Sequence, residues 1–429
     1  MMNKMRRSTK IKIVPSLPAL ALFIVLCACA GRPGGPAREL DVNHLFRPTQ
    51  KAVISSPVAY DWDGDGHLEI AIGAWDGYLY LLNDELADLP GWPKYSPQGY
   101  FSSPALADLD GDNQPEIIVG SDTGRLYAWH FDGRAVEGYP IKFGYRCWSS
   151  PAVLPGPMIA IGGLRKMFIF DAQGRNAPGW PQPMPNWADA TPAIGPDIIA
   201  IVTLLVGTQS AGALCAWHWD GRPYIWSPLP LKMDSDSSPA IADLDGDGRV
   251  EIIVGDDEGL LHVIDLDGRE LPGFPQRAES LIEASPAIAD MDGDGMLDIV
   301  VGSWDGKMYV WNHRGEALPG WPVQVEDQII SSAALVDLDG DGKLDIVAGS
   351  KDKRLYAWTA RGAALRGFPR DLGHHVFSSP WVGDINSDGY ADIVVGANNG
   401  IHLLRNVGPL GRAAWPMFRR DAQHTGYVP

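Results

Sequence analysis

Between residues 52 and 408, apolar and polar positions alternate in short blocks, and long amphipathic helical patterns are absent. Brief apolar runs such as Ala105–Ala107, Ile117–Val119 and Leu126–Trp129 are separated by turns rich in Gly, Asp and Pro. Runs this short, bounded by turn residues, predict β-strands. The blocks also recur. Ser55-Ser56-Pro57 returns at 102–104, 149–151, 237–239 and 378–380, with Thr191-Pro192, Ser285-Pro286 and Ser331-Ser332-Ala333 as looser copies. The third position of this signature falls at 57, 104, 151, 192, 239, 286, 333 and 380, so every step is 47 residues except one of 41. A full unit reads as a short strand, an acidic loop, an apolar strand, a glycine-bearing turn, a third strand and a proline-aromatic segment such as Pro90–Pro93. Four short strands in a unit of about 40 to 50 residues predict a propeller blade, which cannot bury both faces alone and must stack radially. The expected fold is therefore all-β, an eight-bladed β-propeller over residues 52–429. Seven blades plus an irregular unit is the alternative, because units three and four are degenerate.

The loop between the first two strands carries the candidate chemistry. In unit two it places Asp108, Asp110, Asp112 and Glu116 at positions 1, 3, 5 and 9. The same phase gives Asp61, Asp63, Asp65 and Glu69; Asp243, Asp245, Asp247 and Glu251; Asp290, Asp292, Asp294 and Asp298; and Asp337, Asp339, Asp341 and Asp345. The last copy, Asp384, Asn386, Asp388 and Asp392, exchanges one acid for an amide. Like charges this dense repel one another unless a cation sits among them. Alternate residues of a tight turn point oxygens inward, and Ca²⁺ takes six to eight such ligands. The expectation is calcium-binding loops in six blades, about six Ca²⁺ sites. Solvated Asp-Gly turns explain one such loop but not six in phase. The loops also account for the charge. They hold 23 of the 53 acidic residues, and the other 30 are outweighed by 35 Lys and Arg, so the net charge of −18 is ligand supply and not the mark of a basic partner.

These loops, the Ile118-Val119-Gly120 type of strand and the period resemble FG-GAP/VCBS repeats, as in the N-terminal propeller of integrin α chains, over about residues 52–408. The resemblance implies the fold and the calcium, because in that family the metal loop joins the first and second strands of a blade. Units three and four keep strands but lack the acids, so no calcium is expected there. The ending from Ala413 to Pro429 resembles a terminal segment of bacterial propellers of this and the quinoprotein-like type. Its Trp415–Phe418 matches the Gly-Trp-Pro slot of other units, which predicts that it completes the last blade.

The N-terminus reads as a targeting segment: Lys4, Arg6, Arg7, Lys10 and Lys12 precede an apolar run from Ile13 to Ala28. Leu26, Ala28 and Cys29 resemble the lipobox of bacterial lipoproteins, which implies a signal peptide over 1–28 and lipid on the Cys29 sulfur. Cys27 departs from that pattern and leaves ordinary signal-peptidase cleavage nearby as the alternative. Residues 29–51, rich in Gly and Pro, are then a flexible tether, and the protein is expected outside the cytoplasm, periplasmic or at the cell surface, held to a membrane by its lipid. Cys147 and Cys215 remain, as two buried thiols or as a disulfide.

No nucleophile elbow, P-loop, dinucleotide fingerprint or zinc-spaced cluster appears, and His374-His375 reads as a surface pair. The Gly-Trp-Pro tryptophans read as blade packing, and no quinone-docking pattern repeats. The residue three before each signature proline leads into the innermost strand on the face opposite the acidic loops. Around the units it is Ile54, Phe101, Trp148, Asp189, Asp236, Glu283, Ile330 and Phe377. Trp75 and Trp304, in turns after the second strand, join the same face. An aromatic arc facing an acidic arc suits a sugar or peptide; the alternative is that these residues only pack on neighbours. The leading expectation is a non-enzymatic, calcium-stabilised binding or cell-adhesion module for a glycan or an extracellular or envelope protein, without nucleic acid. The alternatives are a polysaccharide lyase, since some rhamnogalacturonan lyases resemble this architecture, and an envelope-assembly scaffold.

Overall fold

The computed structural model describes residues 43–144, 146–204 and 212–429, together with the backbone of residues 12–13. Apart from that pair, the expected signal peptide, Cys29 and the tether as far as residue 42 lie outside the described residues. The described chain is strands and turns; it contains no helix long and apolar enough to cross a membrane.

Eight sheets follow the eight signatures, antiparallel apart from the edge pairing of Lys12–Ile13 with Leu45–Phe46 in the last. In the first blade Val58–Tyr60, Glu69–Gly73, Tyr78–Leu82 and Lys94–Tyr95 run from the innermost to the outermost strand. The third and fourth units are full blades too, with inner strands Ala152–Leu154 and Ala193–Gly195, so the seven-blade alternative is discarded. The second strand of each blade is apolar at successive positions because both its faces are covered. Ile117 and Val119 pack toward the first blade, whereas Ile118 packs toward the third. That two-sided burial is what links one blade to the next.

The Ser-Ser-Pro signature is the hub of the propeller. The second Ser or Thr of each unit accepts a hydrogen bond from the same position in the preceding blade: Ser56 N–H to Ser103 Oγ at 2.9 Å, Ser103 to Ser150 at 2.9 Å, Ser150 to Thr191 at 3.3 Å, and so on until Ser379 donates to Ser56 at 3.1 Å. All eight links are present and the ring closes. In four blades the first Ser accepts from the glycine that ends the second strand, as Gly120 N–H does to Ser102 Oγ at 3.1 Å. That glycine is needed for space: a Cβ on Gly120 would strike Cys147, and in other blades the same slot takes Tyr100, Ile282, Ile329 or Val376. Cys147 is thus a packing residue of this column. Both Cys147 and Cys215 are buried free thiols, so the disulfide alternative is discarded. The Gly-Trp-Pro tryptophans do pack between blades, Trp92 Nε1 donating to Phe131 O at 2.7 Å and Trp321 Nε1 to Ala360 O at 2.9 Å.

Two expectations about the ends are corrected. Asn43–Pro48, placed above in the tether, is the fourth strand of the last blade, pairing Asn43 with Arg405 and Pro48 with Gly400. Closing a ring with a strand from the other end of the chain joins the first and last blades, and the repeat pattern misses it because a single outer strand carries no loop. The C-terminal segment therefore does not complete the last blade. Ala413–Trp415 lies along the inner strand of the seventh blade, Leu335 opposite Trp415. The chain then crosses the axis, its carbonyls receiving inner-strand N–H groups: Pro416 from Val382, Ala422 from Leu106, Gln423 from Val153, Thr425 from Ile194 and Gly426 from Ile241. Arg419 and His424 are buried within it, held to Ser238 O and Pro151 O. Inner-strand N–H groups that would otherwise face an open channel gain partners, which favours this path over an outer-strand position.

Candidate functional site

The propeller offers two candidate sites on opposite faces. On one face lie the acidic loops, each between the first and second strands of its blade. In the first blade Asp61 accepts N–H groups of Gly64 and Gly66 at 2.7 and 3.1 Å, and Glu69 accepts that of Trp62 at 2.9 Å. Gly64 and Gly66 have φ of +74° and +88°, which lets the turn close around the carboxylates. The last loop repeats this with Asp384 accepting Gly389 N–H and Asp392 accepting Ile385 N–H. Within each of the triplets Asp61/Asp63/Glu69, Asp108/Asp110/Asp112, Asp243/Asp245/Glu251 and Asp290/Asp292/Asp294, oxygens lie within 4.8 Å of one another.

The ninth-position acid is buried in all six loops. Burial first, and then the neighbouring aspartates, push Glu69, Glu251, Asp298 and Asp345 up to about 7 and Asp392 to about 6. A buried acid among three others loses less by keeping its proton, unless a cation replaces it. Asp243 Oδ1 and Asn386 Oδ1 are buried without any hydrogen-bond partner, as a ligand oxygen would be. An all-oxygen donor set with such orphaned atoms fits Ca²⁺. In the third and fourth blades the loop is a tight hairpin, Leu154 opposite Met158 and Gly195 opposite Ile198, with no such set.

On the other face the eight lead-in residues do come together. Ile54, Phe101, Trp148, Asp189, Asp236, Glu283, Ile330 and Phe377 line one open depression of about 200 Å³, with the eight-membered Ser/Thr ring below them and Phe418 of the C-terminal segment at its floor. None of the eight is fully buried. Phe101 and Trp148 stack with centroids 4.8 Å apart, and Trp75, 42% exposed, extends the wall 5.7 Å from Phe101. Trp304 Nε1 donates to Glu283 Oε2 at 2.7 Å. Burial and then the Asp236 charge lift Asp189 to about 7; Asp236 has an exposed side chain but sits among the crowded walls of the mouth, whose desolvation and then Asp234 raise it to about 6.

Further residues join this mouth that the sequence reading did not single out. Arg146 lies over the Trp148 ring at 4.4 Å and meets Asp122 at 3.6 Å. Lys351 lies over Trp304 at 5.2 Å and donates to Gln328 Oε1 at 2.6 Å. Asp257 is pushed up to about 7 by burial and by Asp236 and Asp234. A signal for several existed: Asp122, Asp257 and Lys351 occupy the phase of Trp75 and Trp304 at the same 47-residue spacing. His374 is exposed, and His375 Nδ1 is held by the Lys351 carbonyl.

Comparison with known proteins agrees with this geometry. The FG-GAP-like repeat model matches residues 61–119, 290–348 and 337–395, and the FG-GAP repeat model matches 378–413. No protein of curated function matches the chain. Among solved structures, BamB from Moraxella catarrhalis is similar at a TM-score of 0.53 and 15% identity, over 81% of this chain and 95% of that one. A europium-containing methanol dehydrogenase is similar at a TM-score of 0.57 and 10% identity, over 83% and 91%. At such identities the likeness is one of fold alone. Matched repeats, in-phase loops and eight closed blades together make this chain an FG-GAP repeat β-propeller.

Proposed function

We propose that this propeller is a non-enzymatic binding module, with Ca²⁺ in six loops stiffening one face and a glycan or protein ligand docking in the mouth of the other. The observation that supports this reading is the mouth itself. Five aromatic or aliphatic side chains and three carboxylates from eight separate blades converge on one depression. Stacked Phe101 and Trp148 offer a flat apolar wall, and Asp189, Asp236 and Glu283 offer acceptors for hydroxyl or amide groups. The module works outside the cytoplasm in this reading, anchored through a lipid on Cys29.

The lyase reading gains Arg146 and Lys351 at the rim, since a uronate needs cations. Both are engaged, however, by Trp148 with Asp122 and by Trp304 with Gln328, which favours binding over catalysis. An envelope-assembly scaffold is the other non-enzymatic reading; the likeness to BamB carries shape and no role. The test is a glycan and peptide array probed with the protein and with a Trp148→Ala, Asp236→Ala double variant. The variant is expected to lose any ligand found while keeping its metal content. Ligand binding that survives in the variant but fails in a loop-face variant would place the site on the wrong face.

A further inference from the structure

The six acidic loops are alike in their acids but not in what faces them. The residue fourteen after the ninth-position acid directly follows the third strand in five blades and lies within it in the last; it is Asn83, His130, Asp265, Asn312, Thr359 and Asn406 in the six loop-bearing blades. Only the second blade puts an imidazole there. His130 Nδ1 lies 3.0 Å from Glu116 Oε1, and ligand atoms of Asp110, Glu116 and His130 all fall within 4.8 Å of one another. Asp110 also belongs to the Asp108/Asp110/Asp112 triplet, so the group that contains the imidazole adjoins the acidic loop through that residue. Glu116 is 1% exposed, and His130 is held on an edge between two cavities. One, of about 590 Å³, is lined by Asp110, His130 and Glu137; the other, of about 120 Å³, by Asp112, Glu116 and His130. An ion here would have a route from solvent and room for water ligands.

We propose that the loop of the second blade is a mixed nitrogen–oxygen site, selective for a divalent d-block ion of the zinc class over Ca²⁺. The inference rests on the loops holding metal at all, and it concerns what His130 does to one of them. Ca²⁺ gains little from an imidazole, whereas zinc-class ions accept neutral nitrogen beside carboxylates and bind a given nitrogen–oxygen set more tightly along the divalent series. The remaining loop-bearing blades present an amide, a hydroxyl or a carboxylate at that position, which keeps them oxygen sites.

The experiment uses the untagged full chain, stripped with a chelator, returned to millimolar Ca²⁺ and titrated with Co²⁺ as the spectroscopic probe. Elemental analysis after dialysis against Ca²⁺ should leave about one Co²⁺ per chain, with visible absorption showing nitrogen ligation. His130→Asn, which installs the residue of the first, sixth and eighth blades, should weaken Co²⁺ retention at least about tenfold without lowering the calcium count. His218→Asn, which alters the imidazole facing Asp197 of the fourth blade's first hairpin at 2.9 Å, should change nothing. The proposal is overturned if the parent retains no Co²⁺ against Ca²⁺, if His130→Asn retains it equally, or if His218→Asn is the variant that loses it. A parent that takes up neither ion overturns the metal reading of all the loops, a result distinct from Ca²⁺ filling the second loop like the rest.

Discussion

The two faces of this propeller both gather carboxylates, and they treat them oppositely. On the loop face every first-position aspartate receives at least one backbone N–H from its own turn, and every ninth-position acid receives one more, so the chain shapes the oxygens before anything binds. On the mouth face Asp189, Asp236 and Asp257 have neither an ion pair nor a hydrogen-bond donor among the described residues, whereas Glu283 accepts from Trp304, Asp234 accepts the Ser235 N–H and Asp122 meets Arg146. The first arrangement suits a small cation of fixed geometry. The second leaves acceptors free and strained by one another, which suits a larger ligand that brings its own donors. Carboxylate number alone would not separate the two; the direction of the surrounding N–H groups does.

The largest test of this contrast is removal of metal. With millimolar Ca²⁺ and affinities of order 0.1 mM, each filled loop adds roughly 1.4 kcal/mol, so six would dominate the stability of a chain this size. A chelator is expected to lower the melting temperature by many degrees. Hydrogen exchange should rise in the six acidic loops while the hairpins at 154–158 and 195–198 keep their protection. An unchanged melt, with no metal by elemental analysis, would remove the calcium from the comparison.

A smaller effect separates the faces residue by residue. Asp243→Asn removes a ligand charge, and Asp236→Asn removes an unpaired one. In Ca²⁺ the first should cost on the order of 1–2 kcal/mol, and under chelator nothing or less than nothing, because relief of repulsion offsets the lost turn contacts. The second should be neutral or stabilising in both conditions. Denaturant melts of the two variants with and without Ca²⁺ check this, and equal responses to metal in both variants would erase the distinction.

Much of this architecture was legible because the repeat is strict. A 47-residue step fixes blade number, loop phase and the eight mouth positions at once, since each is set by where it falls within a blade. What escaped was set between distant parts of the chain. Nothing in the pattern of Asn43–Pro48 says that it pairs with Gly400–Arg405, because an outer strand has neither loop nor signature. The path of the last residues was misread for a related reason: Trp415–Phe418 resembles the Gly-Trp-Pro slot, but Trp415 packs along an inner strand of the seventh blade. Arg146 was invisible because its contact with Trp148 is a matter of side-chain direction, on which no periodicity reports.

The last test concerns protons at the mouth. Asp189 has a folded value raised to about 7 from an ordinary 3.8, chiefly by burial, then by Asp236 and Asp234, with Asp122 adding and Arg146 opposing. A carboxylate raised on folding favours the folded state while it holds its proton. Its contribution is fully present below pH 3.8, fades as the unfolded chain ionises above that, and is gone once pH passes about 7. Asp236 and Asp257 act in the same direction, with folded values of about 6 and 7. The parent in saturating Ca²⁺ should therefore lose mouth-derived stability between about pH 4 and 7, and Asp189→Asn should flatten that part of the curve. The difference between the two melts isolates the mouth, since the loop acids are common to both. Parallel curves for parent and variant over this range would show that Asp189 ionises like a solvent-facing aspartate, and the mouth would then be an ordinary wet surface instead of a set of unsatisfied acceptors.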